Sequence, residues 1–223
     1  MEFIDILMNC PLFKGLSAEE IEMMMKGKYQ IHSYKKGDII AMRDEECNAL
    51  NIVLSGSVKG EMLDMSGRVI KIEDIEAPKP LAVAFIFGQQ SKFPVDIVSN
   101  GDVKILRIQK LTILEILQSN QQFLTNFLNT ISNRTQFLSR KLFFLSFKTI
   151  KQKLAYYLSE QYNLWGEQFT LNASQQQLAE LFGVARPSLA RAMGELVDEG
   201  ILIVNRKAIN IINKDALFAF MKE

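Results

Sequence analysis

Residues 174–193 read SQQQLAELFGVARPSLARAM. Ser174 followed three residues later by Gln177 has the form of a capping box, in which each side chain bonds the other's backbone N–H, so a helix starts there. Ala179 is small enough for two helices to cross closely, and Gly183 stands where the chain must turn sharply, a job that favours positive φ. Pro187 suits the first position of a second helix, where a missing N–H costs nothing, and it pushes Arg186 before it toward extended backbone. Leu189, Met193 and Leu196 then form a core-facing stripe, with Ala192 beside it. Together Leu178, Ala179, Gly183, Leu189 and Ala192 have the spacing of a helix-turn-helix.

What remains on the second helix is its outer side. Arg186, Pro187, Ser188 and Arg191 lie there, at the amino end, which in helix-turn-helix proteins enters the major groove. An arginine can bond O6 and N7 of guanine together, and each good bidentate pair discriminates between bases by roughly 1–3 kcal/mol. These four residues are therefore candidates for base reading. Ser174, Gln175 and Gln176 at the start of the first helix are candidates for phosphate, which fixes register rather than sequence. ILIVNRKAINII (201–212) follows as an apolar hairpin with a four-residue turn, a wing whose Arg206 and Lys207 join the phosphate candidates.

Working outward, KTIKQKLAYYLSEQY (148–162) reads as a helix, FTLNA (169–173) as a short strand, and Asp215 to Lys222 as a closing helix. Upstream, residues 110–147 contain neither Gly nor Pro. Leu117, Gln121, Leu124, Leu128, Ile131, Thr135, Leu138, Leu142 and Leu145 alternate in steps of four and three. That heptad seam predicts one long helix packed against a copy of itself, hence a homodimer, with Thr135 as a polar seam residue that fixes register. Phe123, Phe127 and Phe137 widen its apolar face toward the domain before it. Residues 28–109 are short apolar runs turning at Lys36-Gly37-Asp38, Ser55-Gly56 and Asn100-Gly101-Asp102, the pattern of an all-β roll. A helix with a capping box, Ser17 and Glu20, leads into it. The expected class is α+β in three parts: a roll domain over 1–109, a dimerisation helix and hinge over 110–147, and a winged helix-turn-helix over 148–223.

Composition narrows the function. The 223 residues carry a net charge of +1, spread as −3 over 1–109, +3 over 110–147 and +1 over 148–223. Without a basic tail, contact with nucleic acid must come from local placement. No stretch is apolar enough to span a bilayer, and MEFIDILMNC has acids where a secretory signal needs bases, so a cytoplasmic protein without a membrane partner is expected. Cys10, Cys47 and the single histidine, His32, supply no four-ligand metal site from one chain and read as free thiols and a core or surface imidazole. An enzyme has little to work with: no Gly-rich phosphate loop, no metal set, no nucleophile paired with a base.

The order of parts resembles the cyclic-AMP receptor protein/fumarate-nitrate regulator (CRP/FNR) family of bacterial transcription regulators over nearly the whole chain. KKGD with Gly37 and LSGSVK with Gly56 resemble its roll turns. KLFFLSFKTIKQKLAYYL resembles its hinge, and SQQQLAELFGVARPSLARAM its helix-turn-helix. The resemblance implies a homodimer on a palindromic duplex, RNA polymerase as a further partner, and base reading at Arg186 and Arg191. Pro187 stands where many members carry a base-reading Glu, so the target should differ from theirs, and Ala185 replaces a Ser often found at the turn. The effector side departs further. Members that bind cyclic AMP hold it with a G-E-L … R-S cassette; here Val83 stands for the Glu, Phe93 for the Arg and Pro94 for the Ser. A buried phosphate would find no charged partner there, so no cofactor and no response to cyclic AMP are expected. Leu81, Val83, Phe85, Phe87, Phe93 and Val95 either line a pocket for an uncharged, apolar small molecule or fill it themselves. The alternative function, a sensor or interaction module without DNA binding, explains the roll and the seam but leaves Arg186 and Arg191 idle.

Overall fold

The computed structural model describes residues 3–64 and 66–222. By its internal contacts the chain divides into two compact units, with the division between Thr135 and Gln136.

The first unit opens with α1 (Ile4–Met8), a 3-10 turn (Pro11–Phe13) and α2 (Ala18–Met25). The capping box at α2 forms as read: the Ser17 N–H donates to Glu20 Oε2 (2.7 Å) and the Glu20 N–H to Ser17 Oγ (3.2 Å). Eight strands follow: β1 (Gln30–Tyr34), β2 (Ile39–Ala41), β3 (Ala49–Ser55), β4 (Ser57–Leu63), β5 (Val69–Glu76), β6 (Lys79–Leu81), β7 (Asp96–Ser99) and β8 (Val103–Gln109), with the short helix α3 (Val83–Ile86) between β6 and β7. They form two four-stranded antiparallel sheets, ordered β1-β8-β3-β6 and β2-β7-β4-β5. Gly56 makes the β3–β4 turn at φ 78°, and a Cβ there would collide with the Asp102 carbonyl, which explains the glycine. β3 is buried at every position but its last, the signature of a strand covered on both faces.

The long helix expected over residues 110–147 is broken. α4 (Lys110–Ser119) stops at Asn120, whose backbone is extended (φ −131°, ψ 106°), and α5 (Gln121–Ser146) starts again behind it. Asn120 ends one helix and caps the next: its Oδ1 accepts from the Phe123 N–H (2.8 Å) and its carbonyl from the Leu124 N–H (3.0 Å). An asparagine can satisfy backbone donors outside the helix, so neither Gly nor Pro is needed for the break. Leu117, on α4 before the break, is partly buried against the roll core. Phe123 and Phe127 also bury into that core, edge-on to Phe13 (5.2 Å) and Phe87 (5.8 Å), whereas Phe137 is exposed. Among the described residues, Phe123, Phe127 and Ile131 are the apolar side chains of α5 packed in or against that core.

Along the rest of the seam, Leu124 and Ile131 are half-buried, Leu128, Thr135, Leu138 and Leu142 are exposed, and the Thr135 hydroxyl is spent on the Ile131 carbonyl (3.0 Å).

The second unit holds α6 (Ile150–Trp165), β9 (Gln168–Thr170), α7 (Gln175–Phe182), α8 (Arg186–Asp198), the hairpin β10 (Leu202–Asn205) and β11 (Ala208–Ile211), and α9 (Lys214–Ala219), closed by a 3-10 turn (Phe220–Lys222). β9 adds to the hairpin, giving the order β10-β11-β9. Leu154, Leu158, Phe182, Leu189, Leu196, Leu202 and Leu217 are buried in one core beneath the three sheet strands and four helices. Among the described residues, no helix is long and apolar enough to cross a membrane.

Candidate nucleic-acid interface

α7 begins with the expected capping box: the Ser174 N–H donates to Gln177 Oε1 (2.8 Å) and the Gln177 N–H to Ser174 Oγ (3.2 Å). It ends on Gly183, at φ 66° and ψ 37°, the left-handed conformation the turn requires. Three residues carry the chain into α8. Leu178, Ala179 and Phe182 from α7 and Leu189, Ala192, Met193 and Leu196 from α8 are buried together.

α8 starts one residue earlier than the proline implied. Ala185 is the extended N-cap (φ −68°, ψ 139°), Arg186 the first helical residue and Pro187 the second. The Ala185 carbonyl accepts from the N–H groups of Ser188 (3.0 Å) and Leu189 (3.1 Å). Those bonds outweigh the mild bias against helical backbone before a proline, and Pro187's missing N–H lies in the first turn, where it has no intrahelical acceptor. Ala185 offers no side-chain cap, as its identity dictates.

The consequence is a short polar surface. Arg186, Pro187, Ser188 and Arg191 are all exposed, while Leu189 and Met193 lie buried beneath them. The Ser174 hydroxyl accepts a cap bond but keeps its own hydrogen to donate. Gln175 is half-buried, and Gln176 is turned along α7 to donate to Glu180 Oε1 (2.8 Å). The wing differs from expectation in its turn. The strands pair to Asn205↔Ala208, leaving a two-residue tip, Arg206 and Lys207, rather than four. Arg206 has φ 56°, a left-handed backbone that costs a non-glycine residue about 1 kcal/mol or more. A charged residue is thus held at the tip against its local preference. Among the described residues, no carboxylate pairs with Arg186, Arg191, Arg206 or Lys207.

Two lysines of α6 that the sequence did not single out brace the helix pair from behind. Lys153 Nζ donates to the Phe182 carbonyl at the end of α7 (2.9 Å). Lys151 Nζ lies 2.7 Å from Glu199 Oε1 and 2.9 Å from Glu195 Oε2, and hydrogen bonds to these two carboxylates hold its pKa above the usual lysine value. The partners are 44 and 48 residues apart in sequence, so no local pattern signals them.

In the first unit, Leu81, Val83 and Phe93 are buried in the roll core, and Phe87 and Val95 are half-buried against it. Phe85 is 38% exposed. The sequence reading has Leu81, Val83, Phe85 and Phe87 line or fill one apolar hollow together. The chain instead turns through α3, whose helical period buries Val83 and Ile86 and sends Phe85 outward. Two surface clefts of this unit, of about 450 and 560 Å³, are lined by Gly56, Ser57, Glu76, Ala77, Asn100, Gly101 and Asp102, and by residues of the 8–14 and 126–133 segments; none of the six lines either. His32 is exposed on β1. Cys10 and Cys47 are buried free thiols; burial pushes Cys10 up to about 11, against the opposing Leu12 backbone bond, and raises Cys47 as well.

Comparison with known proteins agrees with this geometry. Residues 31–120 match the cyclic nucleotide-binding domain family, and residues 152–220 the Crp-like helix-turn-helix domain family. A transcriptional regulator from Thermotoga maritima is 30% identical over 56% of this chain and 98% of its own, with a TM-score of 0.54. The Thermus thermophilus catabolite activator protein shares the fold over 95% of this chain and 98% of its own, at 20% identity and TM-score 0.56. DNR from Pseudomonas aeruginosa does so over 97% and 96%, at 20% identity and TM-score 0.50. No curated protein sequence matches. The chain belongs to the CRP/FNR family of transcription regulators: a cyclic-nucleotide-binding-like roll, a long helix and a Crp-like helix-turn-helix domain.

Proposed function

We propose that the protein acts as a homodimer on a palindromic duplex and does so without cyclic AMP. The observation that carries the reading is the amino end of α8, where Arg186, Ser188 and Arg191 stand exposed side by side over a buried apolar stripe. Arg186 and Arg191 read base edges from the major groove; Ser174, Gln175, Arg206 and Lys207 hold phosphates and set the register. Gln176 gives one amide hydrogen to Glu180 and keeps the second for a phosphate.

One reading head with three or four base contacts binds weakly, and pairing two of them raises effective concentration without new contacts. The exposed run Leu128, Thr135, Leu138, Leu142 on α5 supports that pairing, because a coiled-coil partner would cover it. Independence from cyclic AMP is supported by the burial of Val83 and Phe93 in the core at the cassette positions, where an anionic phosphate would be desolvated without a counter-charge. The same packing favours a filled roll over a pocket for an apolar effector.

The test is selection from a random duplex pool with light scattering alongside. The expected product is an inverted repeat with half-sites one helical turn apart, bound by a dimer that the Leu128→Asp/Leu138→Asp double variant reduces to monomers. Selection of no sequence by a folded dimer would instead support the interaction-module alternative.

A further inference from the structure

We infer that Lys151 is a positioning residue for base reading: it sets the tilt of α8 on α6, so that Arg186 and Arg191 reach their bases together. The inference rests on the DNA-binding reading above and concerns how that surface is held.

α8 is fixed unevenly. Its first half is held by apolar burial of Leu189, Ala192 and Met193, contacts that tolerate small rotations. Its second half carries Leu196 inward and is fastened by a directed fork, with Lys151 Nζ 2.9 Å from Glu195 Oε2 and 2.7 Å from Glu199 Oε1. The lysine end of the fork is itself well placed. Lys151 sits in the first turn of α6, beside the reciprocal cap between Thr149 and Gln152, and its Nζ lies 5.6 Å from the centroid of the Phe220 ring. Its side chain is the least exposed of the three, at 25% against 46% and 44%.

The leverage is large. Arg186 lies thirteen residues from Glu199, roughly 20 Å along the helix. A change of tilt of about 10° at the fork therefore moves the arginine by roughly 3 Å, a hydrogen-bond length. The fork also offsets one of the two negative charges that Glu195 and Glu199 place at the carboxyl end of α8, which would otherwise repel phosphate. Tilt and charge make opposite demands on a variant that removes the acids, and this separates them.

The experiment compares full-length wild type with Lys151→Met, Lys151→Arg and Glu195→Gln/Glu199→Gln, reading the ratio of affinity for the selected duplex to that for a scrambled one at fixed salt. Circular dichroism melts check that each variant is folded. Lys151→Met is expected to lower the ratio about fivefold or more, equivalent to one good base contact. Glu195→Gln/Glu199→Gln is expected to bind scrambled duplex more tightly, having lost two negative charges, and still to lower the ratio. Lys151→Arg should keep it, since a guanidinium can bridge both carboxylates. An unchanged ratio in the glutamine variant overturns the positioning role, whether or not Lys151→Met folds. A wild type that prefers no duplex overturns the DNA-binding reading itself, whereas a discriminating wild type with unmoved variants overturns only the role of Lys151.

Discussion

The two ends of the molecule hold their family pattern in different ways. In the helix-turn-helix unit the apolar frame and the polar outer face are both in place: Leu189, Met193 and Leu196 inside, Arg186, Ser188 and Arg191 outside. In the roll the apolar frame is in place, with Leu50, Ile52, Leu106 and Ile108 fully buried, and Val83 and Phe93, proposed above to stand at the cassette positions, are buried with it. A fold requires only the frame. A site requires, in addition, polar groups that weaken the frame or strain it, such as Arg206 at positive φ on the wing tip. On the proposed reading, the polar groups of the helix-turn-helix unit keep a site, and the apolar residues of the roll make that domain core.

That contrast can be broken by mutation. Phe93→Ala should behave as a core truncation, costing about 3–5 kcal/mol in chemical denaturation while leaving the selected DNA sequence unchanged. A shift in sequence choice with little loss of stability would mean that the slot still communicates with the reading head. Cys10 sharpens the same point by pH. Its thiol ionises near 9.0 ordinarily and near 11 in the fold. Below pH 9 both states keep the proton, so the group adds no slope. Above it the unfolded chain loses the proton first, and stability should fall by about 1.4 kcal/mol per pH unit up to the folded value. Urea melts of Cys10→Ala should lack that component, about 2–3 kcal/mol in all. Cys47, Tyr156 and Tyr157, also raised by burial, act in the same direction in both proteins.

On the reading head, Arg191→Ala should relax choice at one base position by roughly 1–3 kcal/mol in a selection assay. Lys207→Ala should weaken all duplexes alike and reduce the salt slope by about one, the smallest of these effects. Equal profiles for the two variants would erase the distinction between reading and anchoring residues.

Much of this was legible in the chain. Capping boxes at Ser17 and Ser174, the left-handed Gly183 and the stripe Leu189, Met193 and Leu196 are local signals, and the structure has them as read. The departures share one cause, competition between neighbouring signals of similar strength. Asn120 interrupts a heptad that contains no Gly or Pro, because its side chain caps as well as it continues. Val83–Ile86 turns helical inside a run that alternates like a strand. The two-residue wing tip needs a left-handed arginine, which no propensity would favour. Lys151 was invisible for another reason: its partners, Glu195 and Glu199, are joined to it only by the fold.

The proposed contrast between a base-reading helix and a filled nucleotide slot meets its most direct test in one titration. The selected duplex is followed by fluorescence anisotropy with and without saturating cyclic AMP. Superimposable, salt-sensitive binding curves are the expected result; binding that begins or tightens only when the nucleotide is added would contradict it.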